Sequence, residues 1–218
     1  MQYIVFRHRR SLYILNTSHS ILKNMEYIGI IIVAIFVSNI VYSQFLGICP
    51  FLGVSKKIDT AVGMGAAVAF VLAIATLLTF LLQKGVLEPF ELTYLRTIVF
   101  ILIIASLVQL IEIILKHSAP ALYQALGVFL PLMSTNCLIL GTCILVIQKD
   151  FSLLPGMVHA IAVSAGFMLA LIIFSGVREQ LMLTKIPKSM QGMPIALITA
   201  GIIAMAFMGF SGIDQVFN

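Results

Sequence analysis

The sequence predicts an all-α integral membrane protein: six transmembrane helices forming two inverted three-helix repeats, with helices one and four broken. Three observations predict it. Hydrophobic residues fill 61% of the 218 positions and charged residues 10%, where soluble domains carry about 25% charged residues. Six apolar runs are long enough to cross a bilayer, which takes about 20 residues each. A short phrase, C-x-x-L-G, stands at Cys49–Gly53 and again at Cys137–Gly141, once in each half of the chain.

The runs cover 27–54, 60–83, 94–115, 119–147, 155–177 and 193–213. Their connections are short and carry most of the charge: Lys56 and Lys57, Glu88 and Glu91, Lys116 and His117, Lys149 and Asp150, then Arg178 to Lys188. No stretch is left for a soluble catalytic domain. The net charge of +5 does not point to nucleic acid, because Arg7, Arg9, Arg10 and Lys23 supply four of the thirteen basic residues from the first 24 positions. That segment, 1–24, reads as an N-terminal extension, non-native or peripheral. Its apolar runs at Tyr3–Phe6 and Leu12–Leu15 are too short for a span or a signal peptide, and Met25 stands directly before the first span. Residues 25–218 then form one six-helix membrane domain, with lipid around it, built from repeats 25–117 and 118–218.

Runs one and four are longer than the rest, about 28 residues, or about 42 Å as continuous helix against a hydrocarbon core of about 30 Å. Gly47, Pro50 and Gly53 punctuate the first; Pro131, Ser134-Thr135-Asn136 and Gly141 punctuate the fourth. Both read as broken or re-entrant helices, a backbone tolerated at membrane depth only where protein or a cavity covers it. An ordinary kinked helix is the alternative. The order long-broken, plain, plain occurs twice, and three spans per half make the second half enter upside down. Cys49 and Cys137 then approach one depth from opposite faces. Loops 1–2, 3–4 and 5–6 carry Lys56, Lys57, Lys116, Arg178, Lys185 and Lys188, against Lys84, Arg96 and Lys149 on the other side. The positive-inside rule therefore places both termini outside the cytoplasm.

Three cysteines cannot pair completely as disulfides, and all three lie in apolar segments, which argues against a secreted disulfide scaffold. Buried cysteine that packs like a small hydrophobe is the ordinary alternative. The absence of C-x-x-C excludes a ferredoxin-type carrier and a zinc ribbon. An iron–sulfur cluster takes four thiolates, so if Cys49 and Cys137 hold one, another chain, a second copy or a paralogue, supplies the other two. Cys143 is a poor third ligand. Six residues of helix turn it about 120° from Cys137 and carry it about 9 Å along the axis, which leaves it to packing. Asn136 can hydrogen-bond a sulfur or cap a half-helix. Gly47, Gly53 and Gly141 can let the backbone approach a cofactor closely. Glu112 and Lys116 form a helical pair at the membrane edge. Ser106, Gln109, Ser164 and Thr199 can line an ion path or join helices, and His159 reads as interfacial.

The run Gln44-Phe-Leu-Gly-Ile-Cys-Pro-Phe-Leu-Gly-Val-Ser-Lys-Lys57 resembles the A-type membrane subunits (RnfA) of the Rnf complex, the ion-translocating ferredoxin:NAD oxidoreductase. So do Tyr94-Leu-Arg-Thr97, Gly127-Val-Phe-Leu-Pro-Leu-Met-Ser-Thr-Asn-Cys137, Val177-Arg-Glu179, Ala196-Leu-Ile-Thr-Ala-Gly201 and Phe207-Met-Gly-Phe-Ser-Gly212. The similarity spans about 25–213. The sister family, the E-type subunits (NqrE) of the sodium-pumping NADH:quinone reductase, shares the Leu-Gly-x-Cys and Asn-Cys phrases, while Cys49-Pro50 and Tyr94-Leu-Arg96 tilt the match to Rnf. The resemblance implies a subunit of a translocase in the bacterial cytoplasmic (inner) membrane, not a complete enzyme alone. It implies a homologous partner of inverted topology, the E-type subunit of the same complex (RnfE-like), alongside the B-, C-, D- and G-type subunits. It also implies a [2Fe–2S] cluster held between the two homologues, with Cys49 and Cys137 as this chain's ligands. A small-solute secondary transporter and a structural scaffold are the competing classes. Only Ser134, Thr135 and Asn136 offer convergent polar groups, which is thin for solute binding.

Overall fold

Inside a bilayer no water satisfies the backbone, so a chain this apolar meets its hydrogen-bonding needs within helices. The computed structural model describes residues 27–55, 57–89, 93–118, 133, 135–184, 187 and 190–209, and these are helical apart from short connections. In chain order, α1 is Tyr27–Val37, with a π-helical last turn at Val33–Val37. Helix α2 is Ile40–Gln44 and α3 is Ile48–Val54. Helix α4 spans Ile58–Leu87 and also ends in a π turn, Gln83–Leu87. Helix α5 is Arg96–Ser118, α6 Cys137–Gln148, α7 Leu153–Leu183 and α8 Met193–Met208.

Helices α4 and α7, and α5 over Arg96–Ile114, are long and apolar enough to cross a membrane; α1, α6 and α8 are apolar but shorter. The first apolar run is broken, as its glycines and proline predict, though not at the proline. Pro50 occupies the first turn of α3, where the backbone N–H groups have no helical partner and the missing one costs little. The breaks fall at Ser38–Asn39 and at Phe45–Gly47. In the fourth run, 119–132 lies outside the described residues, and its helix α6 starts at Cys137, directly after Asn136. The extension 1–24 also lies outside the described residues.

Arg178 departs from the sequence expectation, which puts it in the loop after the fifth span. Helix α7 continues to Leu183, and Arg178 is 7% exposed within it. It lies in the helix, buried against its neighbours, rather than in a loop. Its hydrogen bonds, described below, offset the cost of its burial.

The long helices α4 and α7 pack along each other and carry most of the core, with α1 and α6 laid against them. An aromatic ladder fills the space beside α3. Phe174 stacks on Phe51 at 4.4 Å, Phe51 meets Tyr42 edge-on at 5.7 Å, and Tyr42 stacks on Phe207 at 4.7 Å. The apolar outer face, such as Ile101, Leu102 and Ile113 on α5, is exposed and suits a lipid surround.

The first break is held by Asn39, which is 1% exposed. Its Oδ1 accepts the Val41 N–H at 3.2 Å, capping α2, while its Nδ2 donates to Ile35 O at 3.1 Å and to Gly166 O on α7 at 2.9 Å. Gly166 makes this contact possible, because a Cβ there would lie 3.1 Å from Ala34 O and 3.2 Å from the Ile35 Cα. Replacing Asn39 by Ala removes the cap of α2 and the tie to α7, a loss of about 1–3 kcal/mol. Thermal unfolding of the detergent-solubilised chain should show a lowered midpoint; an unchanged midpoint contradicts this role.

Candidate functional site

The turn that precedes Cys49 meets the second C-x-x-L-G phrase at Cys137. The backbone N–H of Gly47, two residues before Cys49, donates to Cys137 Sγ at 2.9 Å. Ninety residues of sequence separate donor from acceptor. The contact is built by the second break. Helix α2 ends on Phe45 in the left-handed conformation (φ 55°), with the Leu46 N–H turned back to Ile40 O at 3.1 Å. Gly47 follows at φ 80° as the N-cap of α3. Two left-handed residues so close together reverse the chain and turn the Gly47 N–H outward. Phe45 is not a glycine, so its conformation carries strain of a kind that gathers at functional sites.

On the other side, Asn136 caps α6. Its Oδ1 accepts the Leu138 N–H at 3.1 Å, which leaves Cys137 as the first helical residue. The Asn136 side chain is 3% exposed, and its Nδ2 has no hydrogen-bond partner. A buried amide N–H of this kind is an available donor beside the sulfur.

Cys49 is exposed on the outside of the chain, Cys137 half-buried, and Cys143 buried; all three are free thiols. Cys143 lies in the core with its Sγ 3.9 Å from Thr76 Oγ1. Gly47 and Gly141 let the Leu46–Gly47 turn pack closely on α6. A Cβ on Gly47 would meet Leu138 Cβ at 3.2 Å and Phe167 Cε2 at 3.3 Å, and one on Gly141 would meet Leu46 Cδ1 at 2.8 Å. Gly53 is half-buried within α3. No group of three or more His, Cys, Asp or Glu able to hold a metal occurs among the described residues.

The remaining polar candidates stand apart from the sulfurs. Ser164 and Thr199 donate to carbonyls of their own helices, Ile161 O at 2.7 Å and Ile195 O at 2.8 Å. Ser106 and Gln109 are exposed on α5, where Glu112 is half-buried and Lys116 exposed. His159 is buried, at 8% exposure, with its ring against Phe151 at 5.5 Å.

Sequence reasoning missed two functional groups. One is a main-chain donor, the Gly47 N–H, which no side-chain pattern announces. The other is Arg178, whose Nη1 donates to Leu52 O at 2.8 Å and Ser55 Oγ at 2.9 Å at the far end of α3. An arginine inside a continuous apolar helix was the available signal.

Residues 27–214 match the family described as Rnf-Nqr subunit, membrane protein. The chain belongs to the Rnf-Nqr family. Both cysteine phrases and Arg178 lie within the matched region. A relative from Acetobacterium woodii, named as the A subunit of a Na(+)-translocating ferredoxin:NAD(+) oxidoreductase complex, is 54% identical over 188 residues, covering 86% of this chain and 98% of the relative. The A subunit of an ion-translocating oxidoreductase complex from Syntrophotalea carbinolica is 53% identical over 184 residues, covering 84% and 95%. The protein of the same name from Pseudoalteromonas translucida is 46% identical over 188 residues, covering 86% and 97%.

The two glycines differ in consequence. Gly47→Ala puts a side chain into the left-handed region, at about 1–2 kcal/mol, against a packed neighbour. Gly141→Ala gains helix propensity and presses only on the flexible end of Leu46. Thermal unfolding should therefore show the larger loss in Gly47→Ala; equal losses contradict the proposed crossing.

Proposed function

We propose that this chain is the A-type membrane subunit of an ion-translocating ferredoxin:NAD oxidoreductase complex of the Rnf type, relaying electrons across the bacterial cytoplasmic membrane. In this reading its six apolar runs all span, as two inverted repeats with both termini outside the cytoplasm. A [2Fe–2S] cluster is shared with a homologous inverted partner, and Cys49 and Cys137 are this chain's two ligands. The relatives' names support the complex and the subunit type; the Gly47–Cys137 hydrogen bond, two residues before Cys49, is the observation that carries the site.

The residues present fit such a group. Two free thiols come from segments joined by the Gly47–Cys137 hydrogen bond. The outward exposure of Cys49 suits a site completed by another chain. The cluster, when bound, supplies a one-electron carrier inside the membrane. The chain's own part is to hold the ligands. The Gly47 N–H donates to the Cys137 sulfur, and hydrogen bonds of this kind, with burial, set cluster potentials. Asn136 fixes the start of α6 and keeps its Nδ2 in reserve as a further donor. The close glycine contacts hold the turn before Cys49 against α6. An E-type subunit of the sodium-translocating quinone reductase is the second reading, favoured by a family description that spans Rnf and Nqr; the names of the relatives favour Rnf.

Cys49→Ala or Cys137→Ala is expected to abolish the cluster and electron transfer, and Cys143→Ala to leave both intact. Iron content and the reduced-state EPR signal of the co-expressed, co-purified pair of homologues measure this. Full iron occupancy in Cys49→Ala contradicts the ligand assignment.

A further inference from the structure

Helix α3, the short segment bearing Cys49, is anchored at both ends by other parts of the chain. Its N-terminal end is tied to α6 through the Gly47–Cys137 contact. Its C-terminal end has no helical continuation, so its last carbonyls need outside donors. The guanidinium of Arg178 provides one, reaching across from α7 to Leu52 O at 2.8 Å and to Ser55 Oγ at 2.9 Å. The Ser55 side chain is fully buried and Arg178 is 7% exposed. The guanidinium carbon also lies 5.8 Å from the Phe174 ring, which stacks at 4.4 Å on Phe51 of α3. Both hydrogen-bond acceptors are neutral, and among the described residues no carboxylate pairs with Arg178, so it brings a positive charge to the segment three residues beyond Cys49. Burying such a charge is costly, and the site does not need it merely to fill space.

We propose that Arg178 is a positioning residue for Cys49: its clamp on Leu52 O and Ser55 Oγ fixes the half-helix that presents the thiol, and its buried charge acts on the redox centre through that half-helix. This rests on the reading of Cys49 as a cluster ligand. Lysine at 178 keeps the charge but not the fork that reaches two acceptors, so it separates the two parts of the role. Methionine removes both.

Two measurements test it. Hydrogen exchange of the full detergent-solubilised chain reads the clamp without reference to any cluster. Arg178→Lys and Arg178→Met are both expected to speed exchange of the α3 amides at least several-fold, with α4 and the rest of α7 unchanged. Redox titration of the EPR signal in the co-purified pair reads the charge. Loss of a nearby positive charge disfavours the reduced form, so Arg178→Met should move the midpoint to more negative potential, and Arg178→Lys should hold it near the wild-type value. Unchanged α3 exchange in both variants, or in Arg178→Lys alone if Arg178→Met does not accumulate, overturns the clamp. Acceleration spread evenly over all helices also overturns it. Equal midpoint shifts in the two variants, or none in Arg178→Met, overturn the electrostatic part. If the cysteine variants retain iron while α3 exchange still responds, the ligand assignment fails and the clamp stands.

Discussion

A backbone N–H that donates to a cysteine sulfur in an apolar interior answers two needs at once. The amide would otherwise lack a partner at a helix break. The sulfur gains a hydrogen-bond donor. The Gly47–Cys137 contact does both, at 2.9 Å, and much of the site follows from it. It demands a left-handed Gly47, a Phe45 turned the same way, a cap at Asn136 that starts α6 on Cys137, and small residues where the segments cross.

The same constraint accounts for the rest of the broken first run. Each short piece of 27–55 is tied to a residue distant in sequence. Asn39 reaches Gly166 O on α7, Gly47 reaches Cys137 on α6, and Leu52 O is reached by Arg178 of α7. The long helices α4 and α7 supply the scaffold. The short pieces α1, α2 and α3 end at breaks, and such backbone in an apolar setting is held by ties to rigid neighbours.

The apolar runs and the break in the first were legible from hydropathy and from Gly47, Pro50 and Gly53, because chain length against bilayer thickness leaves few solutions. The repeated phrase made Cys49 and Cys137 visible as a pair, and helix geometry separated Cys143 from them. The positions of the breaks were not legible. Pro50 looked like the breaker yet sits harmlessly in a first turn, whereas Ser38–Asn39 break the chain through a π turn that no single residue type signals. The Gly47 donor was invisible because it is main chain. Arg178 was misplaced because a charge after an apolar run reads as a loop, and only the length of α7 shows that it is buried.

Pulsed EPR on the reduced, co-purified pair of homologues, prepared with and without ¹⁵N-glycine, tests the central claim most directly. The predicted result is a backbone nitrogen coupled to the electron spin whose signal changes to that of ¹⁵N on glycine labelling, as the Gly47 N–H on a ligating Cys137 sulfur requires. A reduced cluster whose coupled nitrogens are indifferent to glycine labelling, or a pair with no cluster signal at all, would contradict it.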